Sequence, residues 1–432
     1  MNLNKMDARN LMKNESLYYR VLKEELLPAM GCTEPISVAF ASAKAASILG
    51  GVPETIGIFA SGGLIKNIRC VTVPNTDGLI GIEASAIAGA ISAKPEKELE
   101  VLEDLSEEDK RMMRVYLSQN RTTLQLLETP HNLHFIIRAS LGDNTVEIEV
   151  KHLHTNITKI TLNNEVLFHD EGVTQKYQGK LTDRSFMTVE EIIEFATTTE
   201  WSRLQTILQP QIDKNMAIAM EGFSKPYGVS IGKALLKHYP TVYGKMKAFT
   251  ASASEARMCG SNLPVITNSG SGNQGIASSV PIIVYAQEMN LSTEQMIRAL
   301  ALSNLLTIYQ KSYIGRLSAF CGAISATASS GAALTYLCGG SLEQIKMTII
   351  NSLADAAGVV CDGAKASCAS KIATGLDSAF LSHFLALENQ TYQPYTGFLK
   401  LTVDEAIHSV GRIATEGMKD TDRVILQIML EK

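Results

Sequence analysis

The sequence contains no C-x₂-C pair and no P-loop. The first absence argues against a common structural zinc site. The second removes the usual nucleotide-phosphate fingerprint. Internal repeats and low-complexity linkers are missing as well. Basic residues are in slight deficit, with a formal net charge of −5 and a pI near 6.0, so nothing suggests nucleic acid or an acidic membrane surface. The first residues, MNLNKMDARNLMKNESLYYR, hold no apolar stretch and do not read as an export signal. One uncharged run, Leu317 to Leu342, is long enough to span a bilayer. Its load of Ser, Thr and Gly reads instead as a tightly packed internal helix.

What is there is an ordinary globular composition: 432 residues, 45% hydrophobic and 19% charged, enough for one large or two medium domains. Seven cysteines occur, an odd number in a long chain without an export signal, which favours free thiols or metal ligands over disulfides.

Ser16 to Leu49 has helical spacing, broken at Gly31-Cys32-Thr33-Glu34-Pro35, where Pro35 suits the first turn of a new helix. TIGIFASGG and IRCVTVPNTDG read as short strands, Ile82 to Ile91 as a small-residue helix, and Lys94 to Arg114 as a solvated helical surface started by Ser106 with Asp109. Asn132 to Phe168 reads as a meander of hairpins with turns at Gly142-Asp143-Asn144 and Asn163-Asn164. Alternation places His152 and His154 on one strand face, as a metal pair or as two half-exposed side chains. From Thr188 onward the pattern is helical, with capping signatures at Thr188/Glu191, Ser292/Gln295, Ser341/Gln344 and Thr402/Glu405. The expected fold is α+β. Residues 1–50 are N-terminal helices packing with the C-terminal helical domain, 51–185 an α/β domain with the antiparallel meander, and 186–432 a large helical catalytic domain.

Cys32 at a helix start is placed where the dipole favours thiolate, or else it is a small buried space-filler. The glycine-rich stretch Asn268 to Gly275 precedes an apolar helix from Ile276 to Gln287 and offers backbone N–H groups to an anion, or is only a turn. Ser61-Gly62-Gly63 with Lys66 and Asn67 is a second such loop. Lys311, Tyr313 and Arg316 could meet a substrate carboxylate or sit at the surface. Cys361 and Cys368 are seven apart; on a continuous helix that is about 10 Å along the axis, too far for a disulfide. Shared ligation would need a bend, which Gly363 permits. Cys321, Cys361 and Cys368 together suit an iron–sulfur cluster, with one of four irons left open.

Four stretches in order resemble one family: Gly31 to Pro35, Gly270 to Gly275, Ser318 to Ala323 and Cys361 to Cys368. They are similar to the L-cysteine desulfidases, relatives of the α chains of iron–sulfur L-serine dehydratases. The resemblance implies a [4Fe-4S] lyase that converts L-cysteine to pyruvate, ammonia and hydrogen sulfide, or L-serine to pyruvate and ammonia. It implies Cys321, Cys361 and Cys368 as cluster ligands and Cys32 as the catalytic base. Cys70, Cys259 and Cys338 are assigned to packing. Thr33, Glu34, Ser271, Asn273, Lys311 and Arg316 are the expected substrate-binding residues. Serine dehydratases that cap the open iron use a C-terminal cysteine, which the stretch Ile428 to Lys432 lacks. The expected partner is a small amino acid, with no nucleic acid and no membrane, and the expected setting is a cytoplasmic homo-oligomer, a dimer. Two readings from other classes remain: a cluster-free amino-acid-binding protein and a zinc-dependent hydrolase using the same thiols.

Overall fold

Alternation builds the sheet. In the computed structural model, which describes residues 15–170 and 181–431, β2 (Thr55–Ala60), β4 (His134–Leu141) and β5 (Asn144–Lys151) each bury every second side chain: Ile56, Ile58 and Ala60; Phe135, Ile137 and Ala139; Val146, Ile148 and Val150. With β3 (Thr122–Leu126), β6 (Ile157–Leu162) and β7 (Glu165–His169) they form one six-stranded sheet in the order β3-β2-β4-β5-β6-β7. Only the β2–β3 pair is parallel. The β6–β7 hairpin closes through Asn163 and Asn164, both at positive φ, as a two-residue turn of the right twist requires. A two-stranded sheet pairs β1 (Pro28–Met30) with β8 (Pro264–Ile266).

Two cores result. One lies between the sheet and helices α2 (Thr33–Leu49), α4 (Ile82–Ser92) and α5 (Glu107–Ser118). The other lies among α6 (Val189–Thr198), α7 (Trp201–Ser224), α9 (Val242–Met258), α10 (Gly272–Glu288), α11 (Thr293–Ile314), α12 (Gly322–Leu337), α13 (Leu342–Ala356), α14 (Cys368–Leu387) and α15 (Val403–Arg412). The short helices α3 (Gly62–Ile68) and α8 (Ile231–His238) and the outer helix α16 (Lys419–Leu430) complete the described elements. The N-terminal helices divide between the cores. Residues 15–25 (α1) contribute Tyr18, Val21 and Leu22 to the helical core, whereas α2 packs under the sheet. Full capping boxes start α5, α11, α13 and α15, and Thr188 caps α6 through Glu191 N. The fold is α+β with a large helical part.

Four local expectations change. The stretch IRCVTVPNTDG is not a strand. It ends α3 and then bends through Pro74, Asn75, Asp77 and Gly78, closed by a single Thr72–Ile80 bridge, because Pro74 has no N–H to give a ladder. The uncharged run 317–342 is not one helix: residues 315–321 are irregular and α12 covers only Gly322–Leu337. Strand β5 stops at Lys151, and His152 has φ 69°, so His152 and His154 do not share a strand face. The glycine-rich loop ends earlier than read, since α10 begins at Gly272 rather than Ile276. Among the described residues no helix is long and apolar enough to cross a membrane. Residues 1–14, read above for an export signal, and 171–180 lie outside the described residues.

Candidate active site

Four helix N-termini face one cavity. They are α2 behind Cys32, α10 behind Ser271, α12 behind Cys321 and α14, which opens on Cys368. None has a side-chain cap, so the positive ends of their dipoles act on the space, although in α14 the Cys368 and Ala369 N–H groups are taken by the Lys365 and Ala366 carbonyls. The cavity lies where the two cores meet: Cys32, Glu34 and Asn67 come from the sheet-side segments and the other lining residues from the helical part, of which Leu317, Ala364 and Cys368 pack against the sheet-side core.

Cys32, Glu34, Ser271, Asn273, Lys311, Arg316, Cys321, Cys361 and Cys368 all line it. Thr33 does not. Its hydroxyl donates to Glu34 Oε2 at 3.1 Å and to the Gly270 carbonyl at 2.9 Å, tying α2 to the loop before α10.

The Cys32 thiol donates to Glu34 Oε2 at 2.9 Å. Burial and then the Glu34 carboxylate push this thiol well above its ordinary value. Burial therefore favours the buried-thiol reading of Cys32 over the thiolate that its position at a helix start would favour. For Glu34, burial favours the neutral acid, but His154, the thiol hydrogen bond, its backbone amide and Arg257 together outweigh it and hold the carboxyl low. Burial takes the His154 imidazole down to about 4, so it is neutral at pH 7. Its Nε2, 4.0 Å from Glu34 Oε1, has no hydrogen-bond partner.

On the opposite wall the backbone bends as a shared thiol site requires. Residues 359–367 carry no helix, Gly363 has φ +95°, and α14 begins only at Cys368. A Phe320–Val360 bridge joins this loop to the residue before Cys321, with Cys361 N donating to the Ala319 carbonyl at 2.6 Å and Cys321 N to Val359 O at 3.0 Å. The three thiols are unpaired. Burial, Cys361 and Cys368 push the Cys321 thiol up to about 12. Lys311 is buried beside them, and burial brings its ammonium down to about 8 against the pull of Cys361 and Cys321. Three soft donors on one cavity wall, next to helix N-termini and a lysine, fit an anionic thiolate-bound cluster. Among the described residues no three His, Cys, Asp or Glu side chains close tightly enough for a metal ion.

Arg316 is largely engaged: its Nη2 donates to both Glu25 carboxylate oxygens at 3.0 Å. Arg257, which the sequence did not single out, joins Asn67 and Gln274, named there only as members of glycine-rich loops, in the lining. Arg257 is 2% exposed and its Nε has no partner. Gln274 Oε1 and Asn67 Oδ1 are likewise buried without partners. Arg257 had a faint signal, as a lone cation closing a Ser/Ala-rich helix. Buried Lys66 stands behind the wall, donating to the Cys361 carbonyl at 3.1 Å and pairing with Asp422 on α16.

The chain matches the family described as serine dehydratase alpha chain over residues 96–427. It is 45% identical over 420 residues to a UPF0597 protein of Treponema denticola, covering 96% of this chain and 97% of that one. It is 44% identical over 411 residues to a UPF0597 protein of Lachnoclostridium phytofermentans (95% and 98% covered) and 41% identical over 422 residues to one of Finegoldia magna (98% and 100% covered). With most of its length inside that match, and with the thiol wall and the Cys32–Glu34 pair on one cavity, the chain belongs to the serine dehydratase alpha chain family.

Proposed function

We propose that this protein is a lyase that removes the β-substituent of a small amino acid, with L-cysteine as substrate and pyruvate, ammonia and hydrogen sulfide as products; L-serine is the alternative substrate. The observation that supports it is one cavity with a proton-handling pair on one wall and three unpaired thiols on the other. Cys321, Cys361 and Cys368 would hold a [4Fe-4S] cluster, which supplies a Lewis-acidic iron for the leaving sulfur or hydroxyl.

In the resting site the proton stays on Cys32; Glu34 Oε2, which accepts that hydrogen bond, would take it once the bound substrate's ammonium lowers the thiol. The thiolate so formed at Sγ takes the substrate's Cα proton, and the C–S bond breaks to release sulfide and 2-aminoacrylate. Tautomerisation and hydrolysis give pyruvate and ammonia. Thr33 and Asn67 hold the Glu34 carboxylate, through bonds of 3.1 Å to Oε2 and 3.4 Å to Oε1.

The test is an anaerobic assay on protein reconstituted with iron and sulfide, offering L-cysteine and L-serine separately and measuring pyruvate and sulfide. Sulfide and pyruvate in equal amounts from L-cysteine are expected. Pyruvate from L-serine alone would move the assignment to a dehydratase, and binding of either amino acid without product would leave a binding protein.

A further inference from the structure

Arg257, in the last turn of α9, is a permanent cation of the cavity that no carboxylate pairs directly, although its charge is felt by Glu34. It is 2% exposed, its Nε has no partner, and among the described residues it makes no ion pair. A buried guanidinium held this way is costly unless a ligand completes it. The N-terminus of α10 stands against it. A Cβ at Gly272 would overlap Arg257 Nε, so the missing side chain is what admits the guanidinium to the first turn of α10. Ser271, Asn273 and Gln274 of that turn face the same cavity, and Gln274 Oε1 is also unpartnered. The other two cations are otherwise placed: Arg316 is bound to Glu25, and Lys311 lies beside the thiols.

We infer that Arg257 and the N-terminus of α10 form the subsite for the substrate's α-carboxylate. The inference rests on reading the cavity as an amino-acid site. The planar fork of arginine accepts a carboxylate through two parallel hydrogen bonds, and free helix N–H groups complete the oxygens' shell. The subsite selects free amino acids over their amides, and it holds Cα on the side of the cavity lined by Cys32 and Glu34.

The test compares L-alanine, which has no β leaving group, with L-alaninamide, by calorimetry on the reconstituted protein. Wild type should prefer L-alanine by roughly 10- to 100-fold, the loss expected when a charged hydrogen-bond partner is removed. Arg257→Gln should bring that ratio near one, and Arg257→Lys should recover it in part. Gly272→Ala leaves the arginine in place but crowds it, and should also lower the ratio; it carries the test if Arg257→Gln does not fold. An equal preference in wild type, or an undiminished one in a folded Arg257→Gln protein, overturns the subsite. Carboxylate preference without β-elimination of L-cysteine would leave the subsite standing and remove the lyase. β-Elimination with the preference intact in Arg257→Gln would do the reverse.

Discussion

Cys32 and Glu34 share a proton across 2.9 Å in the first turn of α2, with the thiol holding it and the carboxylate receiving the bond. Glu34→Gln removes the charge that raises the thiol, so Cys32 should be alkylated by iodoacetamide at lower pH in the variant than in wild type. Turnover should fall by about 10²- to 10⁴-fold, the range for loss of a proton-transfer partner. Unchanged turnover would remove Glu34 from the proton path.

The same pair sets a pH dependence of stability. The Glu34 carboxyl is lowered in the folded protein, so its contribution is complete above the unfolded value and is lost as pH falls through the lower folded one. The Cys32 thiol is raised, so its contribution is complete below the ordinary thiol value and is lost as pH rises toward the folded one. Urea midpoints from pH 3 to 10 should therefore decline at both ends. In Glu34→Gln the acid-side slope should flatten; an identical acid slope in the variant would contradict this.

The two walls should separate in spectroscopy. Cys361→Ala is expected to lose both the brown absorbance of the reconstituted protein and its turnover. Cys32→Ala should keep the colour and lose turnover. Cys70→Ala, at an exposed thiol away from the cavity lining, should change neither. Full activity in Cys361→Ala would discard the ligand assignment.

Asp422→Asn leaves Lys66, 2% exposed, as an uncompensated charge behind the Cys361 loop. The expected cost is about 3 kcal/mol in urea unfolding. The double change Lys66→Met with Asp422→Leu should recover most of it, since a packed apolar pair avoids the desolvation penalty. A single variant as stable as wild type would show the pair to be energetically idle.

Gly363→Ala should be worse than its size suggests. The residue sits at φ +95°, and a Cβ there would overlap the Lys66 carbonyl. A loss of about 2 kcal/mol or more and failure to retain iron are expected, measured by thermal melting and iron content. Normal iron content would show that the loop tolerates a shift at this point.

Where a signal was local, the sequence carried it. The meander shows in alternation and asparagine turns, and the helix starts at Ser106, Ser292, Ser341 and Thr402 show in their caps. The bend at Asp362-Gly363 follows from the spacing of Cys361 and Cys368 once both must face one cavity. His154 was misread because the strand ends one residue before His152, at a backbone reversal that alternation cannot register. Thiolate and buried thiol stayed open at Cys32 because a dipole is visible from the order of residues and burial is not. Arg257 carries no local motif and Lys66 stood only in the weaker glycine-loop signal; their meaning comes from what other segments fail to offer the one and do offer the other.

The cavity is held together by contacts between distant parts of the chain. Thr33 reaches Gly270 across 237 positions, Arg316 reaches Glu25 across 291, Lys66 reaches Cys361 across 295 and Asp422 across 356. The capped helices need only their own neighbours to form. Loop closure over such spans comes late, after most helix is in place. On refolding from urea, far-ultraviolet dichroism should therefore recover before the protein can bind L-alanine or take up iron, and a chain with nearly complete helix content will pass through a stage with no site at all.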